Sequence, residues 1–278
     1  MQTTSAPIII QGTGLITGLP VKVTLSQAPA GTGIIFHLGQ HDGADVMIPA
    51  RLECIANTER GVTLGHPSGK FIAIVEHFLC ACAFSHVTDL LVQVEGAPEL
   101  PLLDGGSAEW LTHLKPFAQS TKTPLRLASP IHYEHNETTR ITAVPHSHFT
   151  VSYLVDFDHP ELKTRWVHWD SKTNDPTLIY NAQTFGHVDE LPALQAQGLA
   201  KGVTEENTLG LIRKGGYTRP LRFQDEPLYH KALDLIGDLM LGGINALETN
   251  MHVIATCAGH SSHTAFAKLL QEKIEPAN

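Results

Sequence analysis

Alternating apolar and polar positions predict a β-rich beginning for this chain. Short runs rich in branched apolar residues lie at 8–10, 21–25 and 33–38, and stretches that contain glycine or proline separate them. A further strand is predicted at 90–95. The glycine cluster at 12–18 lacks the third glycine of a dinucleotide-binding loop, and a strand rather than a helix is predicted after it.

A helix is predicted where apolar residues from 228 to 239 recur at steps of three and four, with glycines at 242–243 as a stop. His230 and Asp234 share one face of this helix because they lie four residues apart, and Asp238 follows on the same face. An imidazole and a carboxylate placed in this way can chelate one cation, and both ligands suit zinc.

This spacing is not diagnostic by itself. With 17 His and 28 acidic residues in 278 positions, about two such pairs are expected by chance. His41 and Asp45 have the same spacing in a stretch that is predicted to be a loop. Further residues are therefore needed to identify a site.

A second helix, predicted at 74–84, is apolar except for Glu76 and His77 near its start. Buried polar groups need a hydrogen-bond partner or a function. The pair is either a Glu–His hydrogen bond at a helix N-terminus or part of a site, and both interpretations stay open here. The segment is not an HExxH metalloprotease helix.

The rest of the chain continues as alternating helices and strands. Ser107 is predicted to cap a short helix that reaches Leu114, and the polar, proline-containing stretch 119–124 is predicted to be a linker. After it we predict strands near 125–157, short helices near 177–184 and 190–198, a strand near 252–256 and a last helix at 262–272. The fold class is therefore α+β, with two similar domains at 1–120 and 125–278.

Composition limits the classes of protein to which this chain can belong. The chain is 42% hydrophobic and 17% charged, so it can bury a core, and its net charge of −9 argues against a nucleic-acid partner. No apolar run reaches the roughly 18 residues that span a bilayer, and no signal peptide is evident. Four cysteines without a framework spacing indicate thiols in a reducing compartment. A cytoplasmic protein without a transmembrane segment is expected.

Eight motifs follow one another in the order found in a known family. They are VEHF at 75–78, PLLDGGSA at 101–108, DFDHP at 156–160, QTFG at 183–186, QGLA at 197–200, LRFQDE at 221–226, HKALDLIGDL at 230–239, and His263 five residues before KLL at 268–270. With them the chain, from about residue 8 to residue 271, resembles UDP-3-O-acyl-N-acetylglucosamine deacetylase, a zinc enzyme of lipid A biosynthesis. The resemblance implies two α+β domains that pack helix layer on helix layer, with the metal at their junction.

The resemblance also implies a metal centre. Its ligands are His77 from one domain and His230 and Asp234 from the other. Three protein ligands leave a fourth position for water, as in catalytic zinc sites. Glu76 is implied to be the general base toward that water. One Zn²⁺ is the expected cofactor, and Fe²⁺ accepts similar ligands.

Four further catalytic residues follow from the same resemblance. Thr184 is implied to stabilise the oxyanion, and a cationic His263 to protonate the leaving amine. Asp238 would keep that imidazole charged and oriented. Lys231 would add positive charge near the anionic intermediate, although a lone lysine on a helix is usually a solvated one.

The implied substrate is UDP-3-O-acyl-N-acetylglucosamine. Its N-acetyl group would be hydrolysed to give acetate and UDP-3-O-acyl-glucosamine, the committed step of lipid A biosynthesis. The acyl chain would lie in an apolar passage formed by an insert at about 184–213. The candidate lining residues, each equally readable as ordinary core, are Phe185, Leu191, Leu194 and Leu199. A monomer is expected.

Five positions depart from the family pattern. Ile16 replaces a common His, Gln183 a common Arg, His187 an aromatic residue of the passage, and Ser262 a Gly. His260 stands where a Lys commonly meets the phosphates, and it is therefore predicted to bind the substrate. Alternatively, His260 caps the last helix or faces solvent.

Two rival functions stay open at this stage. One is a non-catalytic, zinc-retaining homologue that binds a nucleotide sugar, although neither Glu76 nor His263 is needed merely to hold a metal. The other is an unrelated α+β enzyme, for instance a GHMP-type kinase, but the glycine-rich phosphate loop that such a kinase requires is not found in the sequence.

Overall fold

A computed structural model describes residues 6–119 and 123–277. In the first half of the chain these ranges contain eight strands and two α-helices. Strands β1 to β8 are Ile8–Thr13, Pro20–Gln27, Ile34–His41, Ala44–Pro49, Ile55–Asn57, Thr63–Gly65, Phe71–Ala73 and Leu90–Gly96. The helices are α1, Glu76–Phe84, and α2, Ala108–Leu114.

In the second half, the same ranges contain nine strands and four α-helices. Strands β9 to β17 are Leu125–Leu127, Ile131–Glu134, Arg140–Pro145, Thr150–Val155, Arg165–Asp170, Phe185–His187, Leu209–Leu211, Thr249–Thr256 and Ile274–Pro276. Helices α3 to α6 are Thr177–Tyr180, Leu191–Ala196, Glu226–Met240 and His260–Gln271.

The main sheets of the two halves share one topology. The first has the strand order β1-β2-β8-β3-β4, and the second has the order β10-β11-β16-β12-β13, with β9 paired to β16 and β17 paired to β9. In each sheet the central strand, β8 or β16, is parallel to one neighbour and antiparallel to the other. The outer pairs on both paths are antiparallel. The prediction of an α+β fold is confirmed.

Each sheet buries one face because apolar and polar residues alternate along its strands. In β2, Val21, Val23 and Leu25 are buried while the residues between them are partly exposed. Helix α1 covers this face of the first sheet, where the Phe78 ring meets the Phe36 ring at a centroid distance of 6.0 Å. The division into domains at 1–120 and 125–278 stays a prediction, and residues 120–122 of the predicted linker lie outside the described residues.

Helices α1 and α5 pack directly against each other, and Gly237 sets how closely they approach. A Cβ atom at Gly237 would lie 2.1 Å from the carbonyl oxygen of Glu76 and 3.2 Å from the backbone nitrogen of Cys80. Only a residue without a side chain allows the two backbones to come this close. The first turn of α1 therefore faces the middle of α5.

We expect Gly237→Ala to destabilise the protein, because its methyl group would overlap α1 backbone that cannot move aside locally. The free energy of unfolding should fall by at least about 1–3 kcal/mol, the usual cost of inserting extra atoms into a well-packed core. Urea unfolding would measure this change. Gly186→Ala is the matched control, since a Cβ atom there meets no atom within 4 Å, and equal unfolding midpoints for both variants would contradict the packing argument.

Several predicted boundaries differ from the observed ones for local reasons. Helix α1 begins at Glu76 rather than at 74, because Ile74 has a φ of 58°, which a right-handed helix does not accommodate. Ser107 stands at the start of α2 but does not cap it; its hydroxyl donates to the carbonyl oxygen of His77 at 2.7 Å. The predicted loop around His41 is mostly strand, since β3 reaches His41 and β4 begins at Ala44.

The later helices are also shifted. Helix α3 ends at Tyr180 and α4 covers only 191–196, whereas α6 begins at His260, two residues before the predicted start. Helix α5 ends at Met240, close to the predicted glycine stop. None of the six helices in the described ranges is long and apolar enough to cross a bilayer.

Candidate metal centre and active site

The packing of α1 against α5 brings three potential metal ligands together. His77 comes from α1, while His230 and Asp234 come from successive turns of α5. The Oδ1 atom of Asp234 lies 3.4 Å from Nε2 of His230 and 3.9 Å from Nε2 of His77. The ligand atoms of the three buried side chains all lie within 4.8 Å of one another.

The hydrogen bonds around these residues fit a bound cation. Nδ1 of His230 lies 3.1 Å from the carbonyl oxygen of Ala182, which can only accept, so Nδ1 carries the proton and Nε2 is left with its lone pair. Among the described residues, Asp234 Oδ1 is buried without a hydrogen-bond partner. A buried carboxylate oxygen is rarely left in this state, and a cation between Oδ1 and the two Nε2 atoms would satisfy it.

The charge states of the ligands agree with this interpretation. Burial, together with the neighbouring His230, lowers the pKa of His77 to about 3. Burial also lowers the pKa of His230, although Asp234 opposes the effect. Burial acts to raise the pKa of Asp234, but Lys231 and the nearby histidines outweigh it and hold the pKa well below the usual range. Two neutral imidazoles and one carboxylate form a donor set that zinc or iron(II) accepts.

Glu76 lies beside this centre in the first turn of α1. Its Oε2 atom accepts a hydrogen bond from the backbone of Val62 at 3.0 Å, and only 2% of the residue is exposed. Burial raises the pKa of Glu76 to about 7, and Asp238 and Asp234 act in the same direction against His260. A carboxylate tuned toward neutrality is suited to take and release a proton.

Asp238 holds two imidazoles at once. The Nδ1 atoms of His260 and His263 both lie 2.8 Å from Oδ2 of Asp238. The three side chains come close enough to be considered as a second metal group. Because both Nδ1 atoms already contact the carboxylate, we interpret this group as a hydrogen-bonded triad.

The two histidines of this triad occupy different environments. His260 lines the active-site cavity, and its Nε2 atom lies 3.9 Å from both Glu76 Oε1 and Asp234 Oδ2. His263 is fully buried, and its Nε2 atom lies 2.8 Å from the hydroxyl of Tyr153. Of the pair, only His260 faces the metal centre.

The charges of the two histidines differ as well. Burial favours a neutral imidazole in both. At His260 the carboxylates of Asp238 and Asp234 outweigh burial and raise the pKa to about 9. At His263 burial prevails over Asp238 and lowers the pKa. At neutral pH His260 is therefore the cationic member of the pair.

The remaining predicted residues fall at or next to the centre. Thr184 and Lys231 line the same cavity of about 480 Å³ as the metal ligands. Lys231 is not a solvated lysine, because its Nζ atom lies 2.6 Å from Oδ2 of Asp234. The ring of Phe185 contacts the ring of His230 at a centroid distance of 5.9 Å.

A second cavity, of about 600 Å³, adjoins the first. Five residues line both cavities, and they are Leu15, Arg60, Ile74, Thr184 and Phe185. The predicted acyl-passage residues lie together along this second cavity, and they are Phe185, Leu191, Leu194 and Leu199. His187 and Ile16, two of the departures from the family pattern, line it as well.

Sequence reasoning missed two groups that shape the site. Tyr153 contacts His263 from strand β12, and its alternating, apolar surroundings carry no signal of a polar role. The backbone carbonyl of Ala182 orients His230, and no side-chain motif can reveal a backbone acceptor. Gln183, the residue after Ala182, departs from the family pattern, but its buried amide bonds the backbone of Asp104 at 2.8 Å and so ties this segment to the first half of the chain.

Comparisons with known proteins are consistent along the whole chain. A family model described as UDP-3-O-acyl N-acetylglycosamine deacetylase matches residues 1–272. A Synechocystis protein named UDP-3-O-acyl-N-acetylglucosamine deacetylase is 34% identical, with 97% of this chain and 98% of that protein covered. Proteins of the same name from Nostoc and Thermosynechococcus vestitus are 33% and 32% identical and cover 96% and 94% of this chain, and 96% and 90% of their own lengths.

Proposed function

The chain belongs to the UDP-3-O-acyl N-acetylglycosamine deacetylase family, and we propose that it hydrolyses the N-acetyl group of UDP-3-O-acyl-N-acetylglucosamine with the help of one zinc ion. The products are acetate and UDP-3-O-acyl-glucosamine, an intermediate of lipid A biosynthesis. The observation that carries the proposal is the convergence of His77, His230 and Asp234 beside Glu76 and His260 in one cavity. This set combines a metal site with a base and an acid.

His77, His230 and Asp234 would hold the cation. When bound, it supplies Lewis acidity to the water and to the amide carbonyl at this position. Glu76 takes the proton of the attacking water, because its carboxylate lies beside the ligands. The hydroxyl of Thr184 serves the developing oxyanion as a neutral donor.

His260 protonates the nitrogen of the departing amine. Its cationic ring faces the cavity, and Asp238 orients it through Nδ1, so that Nε2 is free to donate. The sequence assigned this role to His263 and a phosphate contact to His260. His263 is buried and hydrogen-bonded to Tyr153, which favours His260 rather than His263 as the general acid. His263 then supports Asp238 from the protein interior.

Lys231 and the second cavity complete the site. The ammonium group of Lys231 pairs with the Oδ2 atom of Asp234 and adds positive charge to the cavity. The apolar side chains of the second cavity receive the acyl chain of the substrate. Phe185 lines both cavities and contacts His230, so it connects the acyl passage to the place where the amide reacts.

A direct assay tests this function. Purified protein loaded with zinc is expected to release acetate from UDP-3-O-acyl-N-acetylglucosamine. Chelation should abolish the release, and added Zn²⁺ should restore it. Binding of the nucleotide sugar without any acetate release would favour the rival, a non-catalytic homologue. Full activity in protein shown by elemental analysis to be free of metal would contradict the metal-dependent mechanism.

A further inference from the structure

A buried carboxylate outside the metal centre holds the turn between β1 and β2. Glu99 is 1% exposed, and its carboxylate accepts hydrogen bonds from the backbone of Ile16 at 2.7 Å and of Thr17 at 2.9 Å. The hydroxyl of Thr17 adds a third donor at 2.5 Å. In the described part of the chain this carboxylate forms no ion pair with a basic side chain. Within the described residues, the hydrogen bonds that satisfy this buried carboxylate therefore come from the turn.

The turn is shaped around this carboxylate. A Cβ atom at Gly14 would lie 2.1 Å from Oε1 of Glu99, so a side chain at 14 would displace the carboxylate. The turn is closed by a hydrogen bond from the backbone nitrogen of Gly18 to the carbonyl oxygen of Gly14 at 3.1 Å. The carboxylate thus explains Gly14, and a left-handed backbone with a φ of 68° explains Gly18.

The outer side of the turn is paired with the insert. The backbone nitrogens of Lys201 and Gly202 donate to the carbonyl oxygens of Ile16 and Leu15 at 3.1 and 3.0 Å. A Cβ atom at Gly202 would lie 2.0 Å from the carbonyl oxygen of Gly14, so the two segments approach as closely as backbone allows. The turn is therefore hydrogen-bonded on one side to Glu99, from the first half of the chain, and on the other side to the insert, from the second half.

The side chains of the turn form part of the wall of the second cavity. Leu15 and Ile16 both line it, together with Leu199 of the insert. Leu15 also lines the active-site cavity. The residues that Glu99 holds in place therefore stand where a chain leaving the metal centre enters the apolar passage.

We propose that Glu99 is a positioning residue that gives the enzyme its selectivity for long acyl chains, by holding Leu15 and Ile16 against the insert as one wall of the passage. This inference rests on the proposed function. Glu99 touches neither the reacting amide nor the metal ligands, so it acts on the binding of the acyl chain and leaves the chemical step unchanged.

The test compares Glu99→Gln with wild-type protein on two substrates that differ only in acyl length, dodecanoyl and butanoyl. The amide nitrogen of glutamine cannot accept, so the turn loses one of its anchors. For the dodecanoyl substrate KM should rise about tenfold, the equivalent of losing contact with one or two methylene groups. For the butanoyl substrate KM should not change, and kcat should stay the same for both. An equal change for the two substrates, or none, overturns the proposal.

Glu95→Gln is the matched control. Glu95 lies on β8 in an exposed ion pair with Lys22 at 2.9 Å, and the same loss of charge there should affect neither substrate. If Glu99→Gln does not fold, Thr17→Val removes only the hydroxyl contacts and should raise KM for the long chain alone, by a smaller factor. Unaltered chain-length dependence in a folded Thr17→Val protein also overturns the proposal.

A binding measurement separates this inference from the proposed function. Calorimetry with dodecanoate, on zinc-loaded protein, reports on the passage without any catalysis. Wild-type protein should bind dodecanoate, and Glu99→Gln should bind it about tenfold more weakly. If wild-type protein binds the fatty acid but releases no acetate from the nucleotide sugar, only the proposed function fails. If wild-type protein does not bind it, the inference fails.

Discussion

Replacing Asp234 with alanine is expected to empty the metal centre and to abolish deacetylation. Its Oδ1 atom lies 3.4 Å from the Nε2 atom of His230 and 3.9 Å from that of His77, the two proposed histidine ligands. Its removal leaves two neutral nitrogens and the unpaired ammonium of Lys231, which repels a cation. Loss of a hydrogen-bond partner of a metal ligand already weakens metal binding about 10- to 100-fold. The loss of a ligand itself should therefore weaken it by at least about a hundredfold.

Elemental analysis of the purified variant and a competition assay with a chromogenic chelator measure this effect. Asp158→Ala is the matched control, because Asp158 is an exposed carboxylate that pairs with Arg213 at 2.8 Å. It should retain wild-type metal content and activity. Full zinc occupancy in Asp234→Ala protein would exclude Asp234 as a ligand.

The second large effect is a loss of kcat that should differ between variants of His260 and His263, the two histidines that contact Asp238. We expect His260→Gln to lower kcat by about two to four orders of magnitude, the usual contribution of a general acid, while its metal content is unchanged. His263→Gln should keep most of kcat and mainly lower stability, because His263 lies in the interior against Tyr153. Steady-state kinetics and thermal unfolding of both variants give this comparison.

The pH dependence sharpens the comparison. The pKa of His260 is raised to about 9, so the imidazolium is present at neutral pH and is lost as the pH rises through that value. The basic limb of kcat/KM should therefore vanish in His260→Gln and persist in His263→Gln. The opposite ranking, with kcat and the basic limb lost only in His263→Gln, would restore the role that the sequence assigned to His263.

Much of the secondary structure could be predicted because it depends on local pattern. The alternation in β2 and the three- and four-residue steps in α5 follow from burying one face of each element. The start of α1 could not be placed, since it depends on the left-handed backbone of Ile74. The capping role of Ser107 was wrong because a tertiary acceptor, the carbonyl of His77, takes its hydroxyl hydrogen.

By itself, the sequence determined the family, the residue types of the candidate site and the two helices that carry the proposed metal ligands. Residue identity and order within a helix are local properties, and His230 and Asp234 share a face wherever that helix packs. Only the tertiary structure decided which polar groups meet. His77 reaches them because Gly237 lets α1 approach α5 closely. His260 and His263 lie one helical turn apart and contact the same carboxylate, so their spacing cannot tell which ring faces the cavity and which the core. That choice depends on the packing of α6 beside α5 and on Tyr153 from a strand 110 residues away in the chain.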